Sequence, residues 1–290
     1  MIKRILIGFV LIAAFSGCEK WYQVPEPSYV QVDDYVTKVV PTGQQGTANQ
    51  NFTDMEVIAN GTTYGIFPLG TQVPIIMSGD IHFLIKGVIE VNGVNALRSA
   101  YAEMKGCDTI INVQVGKVTH ITPVFEYFAS SIFPWLQDFD HTSSYNNNPL
   151  MHTNTFDSTE SLFHPGMGGG KCMKFAPNDR VNQTVSQMQT KLPISLPAGG
   201  TGIYLEFNYW GNISMDISVQ GVPVGGTATP LTSCGGVFPS ATWTKIYIEL
   251  TEQVSSLQSG YYYIYLTSLY NSAVGNNYMY VDNIKLVVGG

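Results

Sequence analysis

At 290 residues with a formal net charge of -7, the chain carries no basic cluster. Nucleic acid is excluded as a partner, because phosphate binding needs concentrated Lys and Arg. Only 12% of residues are charged, while Gly, Tyr, Asn, Thr and Ser are abundant. This is the composition of exported β proteins, whose strands take aromatic and β-branched residues and whose turns take Gly and Asn.

Met1 to Ile12 supply a short basic start at Lys3 and Arg4 followed by an apolar run too short to span a bilayer comfortably. Phe15-Ser16-Gly17-Cys18 comes next. This stretch resembles the lipobox of bacterial lipoproteins, in which the cysteine is lipidated and becomes the first residue of the mature protein. Phe15 departs from the usual Leu, Val or Ile. The resemblance implies a signal peptide over residues 1–17, lipidation at Cys18 and the membrane as a partner through a lipid anchor. An ordinary signal peptide with a chance cysteine is the alternative.

Residues 18–27 carry Pro25 and Pro27 and read as an extended tether. The tether lacks the acidic run that marks surface export in many lipoproteins of the Bacteroidota, so the periplasmic face of the outer membrane is favoured over the cell surface. Beyond Cys18 the cysteines are Cys107, Cys172 and Cys234, an odd set in an oxidising compartment. Cys172 and Cys234 fall in one predicted domain and are the favoured disulfide, with three unpaired thiols as the alternative.

From Ser28 the pattern is one of short strands with turn signals between them. Met55 to Ile58 and Thr63 to Phe67 flank Asn60-Gly61, a strong hairpin signal. Val73 to Met77 and Ile81 to Ile85 flank Ser78-Gly79-Asp80 in the same way. Thr109 to Val115 and Lys117 to Pro123 are broken at Gly116, and Asn95 to Lys105 is a weak helix candidate. Residues 28–127 thus read as a small β-sandwich of roughly 100 residues. Gly65, Phe67-Pro68, Pro74, Gly79, Gly87-Val88, Asn92-Gly93, Arg98 and Tyr101 resemble the first domain of a group of Bacteroidota lipoproteins of unknown function. They are also similar in style to surface-associated PEGA and carboxypeptidase-regulatory β domains. That likeness implies a spacer or docking unit with no catalytic residues.

Residues 128–134 look like a linker, and Trp135 to Asp140 open a second unit. The stretch from His141 to Gly170 is polar and irregular, and such a segment tends to be functional or mobile. In Gly202 onward, Ile203, Leu205, Phe207 and Tyr209 alternate with Tyr204, Glu206 and Asn208, which predicts one buried face and one wet face. Ile246, Ile248 and Leu250 alternate with Lys245, Tyr247 and Glu249 in the same manner. Tyr261 to Thr267 and Tyr278 to Val288 complete the strands. The order of elements, with Trp135 to Asp140, Trp243 to Leu250 and Tyr280-Val281-Asp282-Asn283-Ile284-Lys285-Leu286, resembles the galactose-binding-like jelly roll of carbohydrate-binding modules over residues 135–290. The fold expected for the whole chain is therefore all-β, a small N-terminal β-sandwich followed by a C-terminal jelly-roll β-sandwich.

In the last strand the aliphatic phase shifts by one residue between Val281 and Ile284, and a β-bulge at Asp282-Asn283 accounts for it. In the jelly-roll family, acidic residues near the first and last strands share a structural calcium, which implies Asp138, Asp140 and Asp282 as Ca2+ ligands, with Asn283 beside them. Hard oxygen ligands suit that ion. Alternatively, Asp282 caps backbone amides at the bulge and binds no metal. His141, His152 and His164 have spacings that match no zinc-ligand pattern.

Sugar recognition by β-sandwiches pairs aromatic faces with a few fixed polar groups. Trp210 before Gly211-Asn212, and Tyr270 beside Asn271, are the ligand-binding candidates, whereas Trp243 and the Tyr261, Tyr263, Tyr265 series read as ordinary sheet packing. Asp157, Glu160 and Asp179 form no catalytic pair by sequence alone, and hydrolase motifs are missing. The resulting expectation is a non-enzymatic, lipid-anchored envelope protein whose jelly roll binds glycan. An envelope-complex docking subunit that binds protein is the alternative, and a glycoside hydrolase comes third.

Overall fold

A computed structural model describes residues 25–40, 45–140, 148–152, 154–164, 168–199 and 202–290. The signal peptide, Cys18, most of the tether and His141 lie outside the described residues. The described chain is β throughout except for one short helix, Thr251–Leu257, which the sequence reading did not predict. Among the described residues no helix is long and apolar enough to cross a membrane.

The N-terminal part folds around two three-stranded sheets and one five-stranded sheet. Asp54–Ala59 and Thr62–Pro68 form the predicted hairpin, with Ile58 opposite Thr63 and Ala59 opposite Thr62. Its turn needs two consecutive positive φ angles, which Asn60 (φ 47) and Gly61 (φ 77) supply. The second predicted hairpin does not form. Gln72–Ile75 pairs with Ser28–Gln31, while Gly79–Glu90 pairs with Asp54–Ala59 and with Cys107–Val113. The two strands pair in different sheets, so Gly79 (φ 91) marks a change of sheet. The helix expected over Asn95 to Lys105 is also replaced, by the strands Arg98–Ala100 and Met104–Lys105. The first of them completes the ladder of Gly79–Glu90, and Arg98 reaches Asp54 at 2.9 Å.

The C-terminal part is a sandwich of two antiparallel sheets. One holds Ser158–His164, Gly168–Phe175, Met279–Val288, Ile203–Gly211 and Ser240–Glu249 in that order, with Ile132–Gln137 also paired to Met279–Val288. The second holds Leu150–His152, Val185–Thr190, Tyr261–Leu269, Met215–Gly221 and Thr232–Val237. Ile203, Leu205, Phe207, Ile217, Ile248, Ile264 and Leu286 interdigitate between them and form the core of a jelly-roll-like sandwich. Trp135 is fully buried in this core, and its indole N–H donates to Asn148 O at 3.0 Å. Its strand begins at Ile132, inside the stretch expected to be a linker.

The expected wet face of the first sheet is dry over half its length. Tyr204, Glu206, Lys245, Tyr247 and Lys285 are all buried. Tyr204, Tyr247 and Val287 belong to the hydrophobic cluster of the N-terminal part, where they pack with Phe52, Tyr101, Phe125 and Tyr127. The polar alternation was real, but the surface facing it is protein rather than water.

Candidate functional site

The strand register arranges the outer face of the first sheet in rows. Tyr247, Glu206 and Lys285 stand side by side on neighbouring strands, followed by Lys245, Asn208 and Asp282, and then by Trp210, Tyr280 and Lys174. The register slips between Glu206 and Asn208 opposite the last strand, where Asn283 takes φ 53. This is the bulge that the aliphatic phase predicts at Asp282-Asn283.

The first row is sealed beneath the N-terminal part. Glu206 is fully buried and accepts hydrogen bonds from Tyr101 at 2.5 Å and Tyr127 at 2.8 Å on Oε1, while Lys245 Nζ lies 2.8 Å from Oε2. Lys285 Nζ donates to Tyr127 Oη at 3.0 Å and to Thr47 O at 2.9 Å. Tyr247 Oη donates to Gln50 Oε1 at 2.7 Å and accepts the Asn51 amide at 3.0 Å. Burial alone would raise the Glu206 carboxyl, but the two lysines and the hydrogen bonds outweigh it and hold the group down at about 2. Burial pulls Lys285 down to about 7 against the opposing attraction of Glu206. A carboxylate that two lysines and two phenols satisfy is a structural group.

The far row is aromatic and lies beyond the N-terminal part. Trp210 stacks on Tyr280 with centroids 5.3 Å apart and rings inclined by 17°. It meets Tyr278 edge-on at 5.6 Å and approaches Trp243 at 6.2 Å. Trp210, Trp243 and Tyr278 are half-buried, so each keeps part of its ring surface in solvent. At one end of the row Glu160 accepts from Lys174 at 2.9 Å and from Tyr280 Oη at 3.0 Å. The arrangement offers an apolar platform with fixed charged groups beside it.

Of the two ligand candidates, only Trp210 falls on this row. Tyr270 follows Tyr261–Leu269 in the other sheet and lines a shallow depression with Ser214, Asp216 and Thr267. Sequence reading placed Trp243 in plain packing and gave no role to Tyr278 or Tyr280. The signal that could have found them is alternation: Tyr278 and Tyr280 share a face of the last strand, as Trp243 shares one with Lys245.

Of the residues expected to bind calcium, Asp138 and Asp140 lie close enough to Asp282 to act on its carboxyl. Among the described residues no group of three or more His, Cys, Asp or Glu is placed to hold a metal ion. The carboxylates accept backbone amides: Asp138 from Asp140 at 3.2 Å, Asp140 from Lys171 at 2.6 Å and Asp282 from Asn283 at 2.7 Å. Burial, with Asp140 and Asp138 nearby, pushes Asp282 up to about 8. A neutral carboxyl capping the bulge is what this donor set fits.

The expected Cys172–Cys234 disulfide is also not made. The two residues stand in different sheets as buried thiols, and Cys107 is free as well. Burial pushes both Cys172 and Cys234 up to about 12. Each thiol faces a backbone carbonyl, Glu160 O at 3.5 Å and Thr232 O at 3.7 Å. His152 is exposed and lies 3.1 Å from Asn154 O, with no metal-ligand group around it among the described residues. Asp157 is held by Ser186 Oγ at 2.6 Å and the Ala176 amide at 2.9 Å, a capping role rather than a catalytic one.

No family model matches this sequence, and no curated protein matches it. Among solved structures, TmCBM61 in complex with beta-1,4-galactotriose is similar over 50% of this chain and 90% of its own, at 14% identity and a TM-score of 0.32. The xylan-binding domain from CBM 22 is similar over 55% of this chain and 96% of its own, at 13% identity and a TM-score of 0.35. The CBM22-1-GH10 modules of Clostridium thermocellum endo-1,4-beta-D-xylanase 10B, complexed with xylohexaose, are similar over 55% of this chain and 28% of their own, at 12% identity and a TM-score of 0.37. At these scores no ligand passes from those proteins to this one.

Proposed function

We propose that this protein is a lipid-anchored component of the cell envelope that binds glycan without processing it. The observation that carries the binding is the half-buried aromatic row of Trp243, Trp210 and Tyr278, with the buried Tyr280 stacked against Trp210, on the part of the sheet that the N-terminal part leaves uncovered. Half-exposed indole and phenol faces give a pyranose ring the apolar contact that its C–H groups need, and neighbouring charged groups can take its hydroxyls. Hydrolysis is disfavoured because the carboxylates near the row are already committed: Glu160 to Lys174 and Tyr280, and Asp282 to the bulge. The anchor and its place at the periplasmic face of the outer membrane rest on Cys18 and the tether.

Affinity electrophoresis of the protein through gels containing β-1,4-galactan, xylan or mannan tests the binding. Retardation by one of these polysaccharides that is lost in Trp210→Ala supports the proposal, and unretarded migration in all three contradicts it. For the anchor, labelling of cells with a palmitate analogue should mark the wild type and leave Cys18→Ser unmarked.

A further inference from the structure

Where the N-terminal part meets the open end of the sheet there is a cleft of about 970 Å³. One wall is formed by Tyr35, Thr37 and the segment from Thr47 to Asn51, and the other by Asn208 and the run from Thr242 to Lys245. Trp243 belongs both to this lining and to the aromatic row, so the two surfaces are continuous. Asn208 and Lys245 are 3% and 4% exposed, respectively, and form the floor. Asn208 Oδ1, Thr37 Oγ1 and Thr47 Oγ1 have no hydrogen-bond partner among the described residues, whereas Lys245 Nζ is held 2.8 Å from Glu206 Oε2.

Resting on the glycan reading above, we propose that this cleft is a second subsite of the same binding surface. It would take one residue of a neutral oligosaccharide running off the aromatic row, so that the N-terminal part supplies one wall of the site rather than acting as a spacer. The chemistry of the lining selects the ligand class. An amide oxygen needs a donor and a threonine hydroxyl both donates and accepts, so the complementary group is one that does both, as vicinal sugar hydroxyls do. A buried polar atom left without a partner is destabilising. Binding that satisfies several of them is therefore favoured over binding to the aromatic row alone. Lys245 is already neutralised by Glu206, and Asp34 adds a negative charge to the lining, which disfavours uronates and phosphates. A lining this polar equally disfavours apolar peptide anchors.

The test uses calorimetric titration of the full chain with β-1,4-galactotriose, xylohexaose, mannohexaose and, as a charged control, trigalacturonate. Thr37→Val and Asn49→Ala alter only the N-terminal wall and leave every group of the aromatic row in place. Loss of two neutral hydrogen bonds should weaken binding of whichever neutral oligosaccharide binds by about tenfold, with the thermal midpoint unchanged. Wild-type affinity in the doubly substituted protein, together with loss of binding in Trp210→Ala, overturns the cleft subsite and leaves the aromatic-row reading standing. No binding of any oligosaccharide by the wild type overturns both. Trigalacturonate binding more tightly than the neutral sugars overturns the ligand class assigned to the cleft.

Discussion

Glu206 and Tyr127 lie 79 residues apart in sequence and share a 2.8 Å hydrogen bond inside the protein, one from the centre of a jelly-roll strand and the other from the last strand of the N-terminal part. Around this contact Tyr101, Lys245 and Lys285 complete a buried polar network. Its effect is to fix where the N-terminal part sits on the sheet, and so which rows of that sheet stay open.

Replacing Glu206 should be far more damaging than replacing one of its phenol partners. Glu206→Gln keeps the shape but leaves two buried lysines without their anion, a loss of about 3–5 kcal/mol. Tyr127→Phe removes hydrogen bonds and should cost about 1.5–3 kcal/mol. Chemical unfolding monitored by circular dichroism distinguishes the two. Equal losses would mean that the charge balance is not what holds the network.

Asp282 makes stability depend on pH in a defined window. Its folded value of about 8 lies above the ordinary carboxyl value, so folding retains a proton. The contribution is fully present below about pH 4 and is lost as the pH rises through 8. Lys285 shifts the other way, being depressed to about 7 from its ordinary 10.5, so its dependence lies between those two values. Glu103, raised by burial and by Glu206 to about 7, contributes in the same pH 4–7 range as Asp282 and is held constant by comparing the variant with the wild type. Over that range the thermal midpoint of Asp282→Asn should fall less than that of the wild type. Because the carboxylates are engaged by amides, chelators should leave the midpoint in place, whereas a calcium-dependent rise at pH 8 would restore the metal reading.

The thiols should remain reduced after purification under non-reducing conditions. Cys172 and Cys234 are buried, with values raised to about 12, so little thiolate is available for exchange. Mass spectrometry after alkylation of the native protein should show modification at half-buried Cys107 well before the other two. A Cys172–Cys234 crosslinked peptide would contradict the observed sheet placement.

Trp243, which sequence reading assigned to packing, and Tyr270, which it assigned to ligand binding, should behave differently on binding polysaccharide. Trp243→Ala should weaken retardation in affinity gels by a factor of about five or more, as expected for a lost stacking contact of 1 kcal/mol or above. Tyr270→Ala should migrate as the wild type does, because its depression lies on the other sheet.

The sequence was most informative where a local rule has one solution. Asn60-Gly61 permits a two-residue turn, and the phase shift between Val281 and Ile284 requires an extra residue, so both the hairpin and the bulge could be read directly. The same reasoning failed at Glu206, Lys245 and Tyr247. Alternation separates a polar from an apolar face, but it cannot tell whether the polar face meets water or a polar surface of the same chain. Tyr270 was chosen for its loop neighbours and Trp243 passed over for its strand, yet loop position is a weaker guide than the cross-strand register that sets Trp243 beside Trp210. That register depends on pairings between strands far apart in sequence, which no local pattern contains.

Tryptophan emission during titration with xylohexaose, mannohexaose and β-1,4-galactotriose tests glycan stacking on the open row most directly. Trp210 and Trp243 are half-buried at the proposed site, while Trp135 is fully buried in the core. A saturable change with at least one of these sugars, abolished in Trp210→Phe/Trp243→Phe, is the expected result. Unaltered emission with all three, or a change that survives both substitutions, would contradict it.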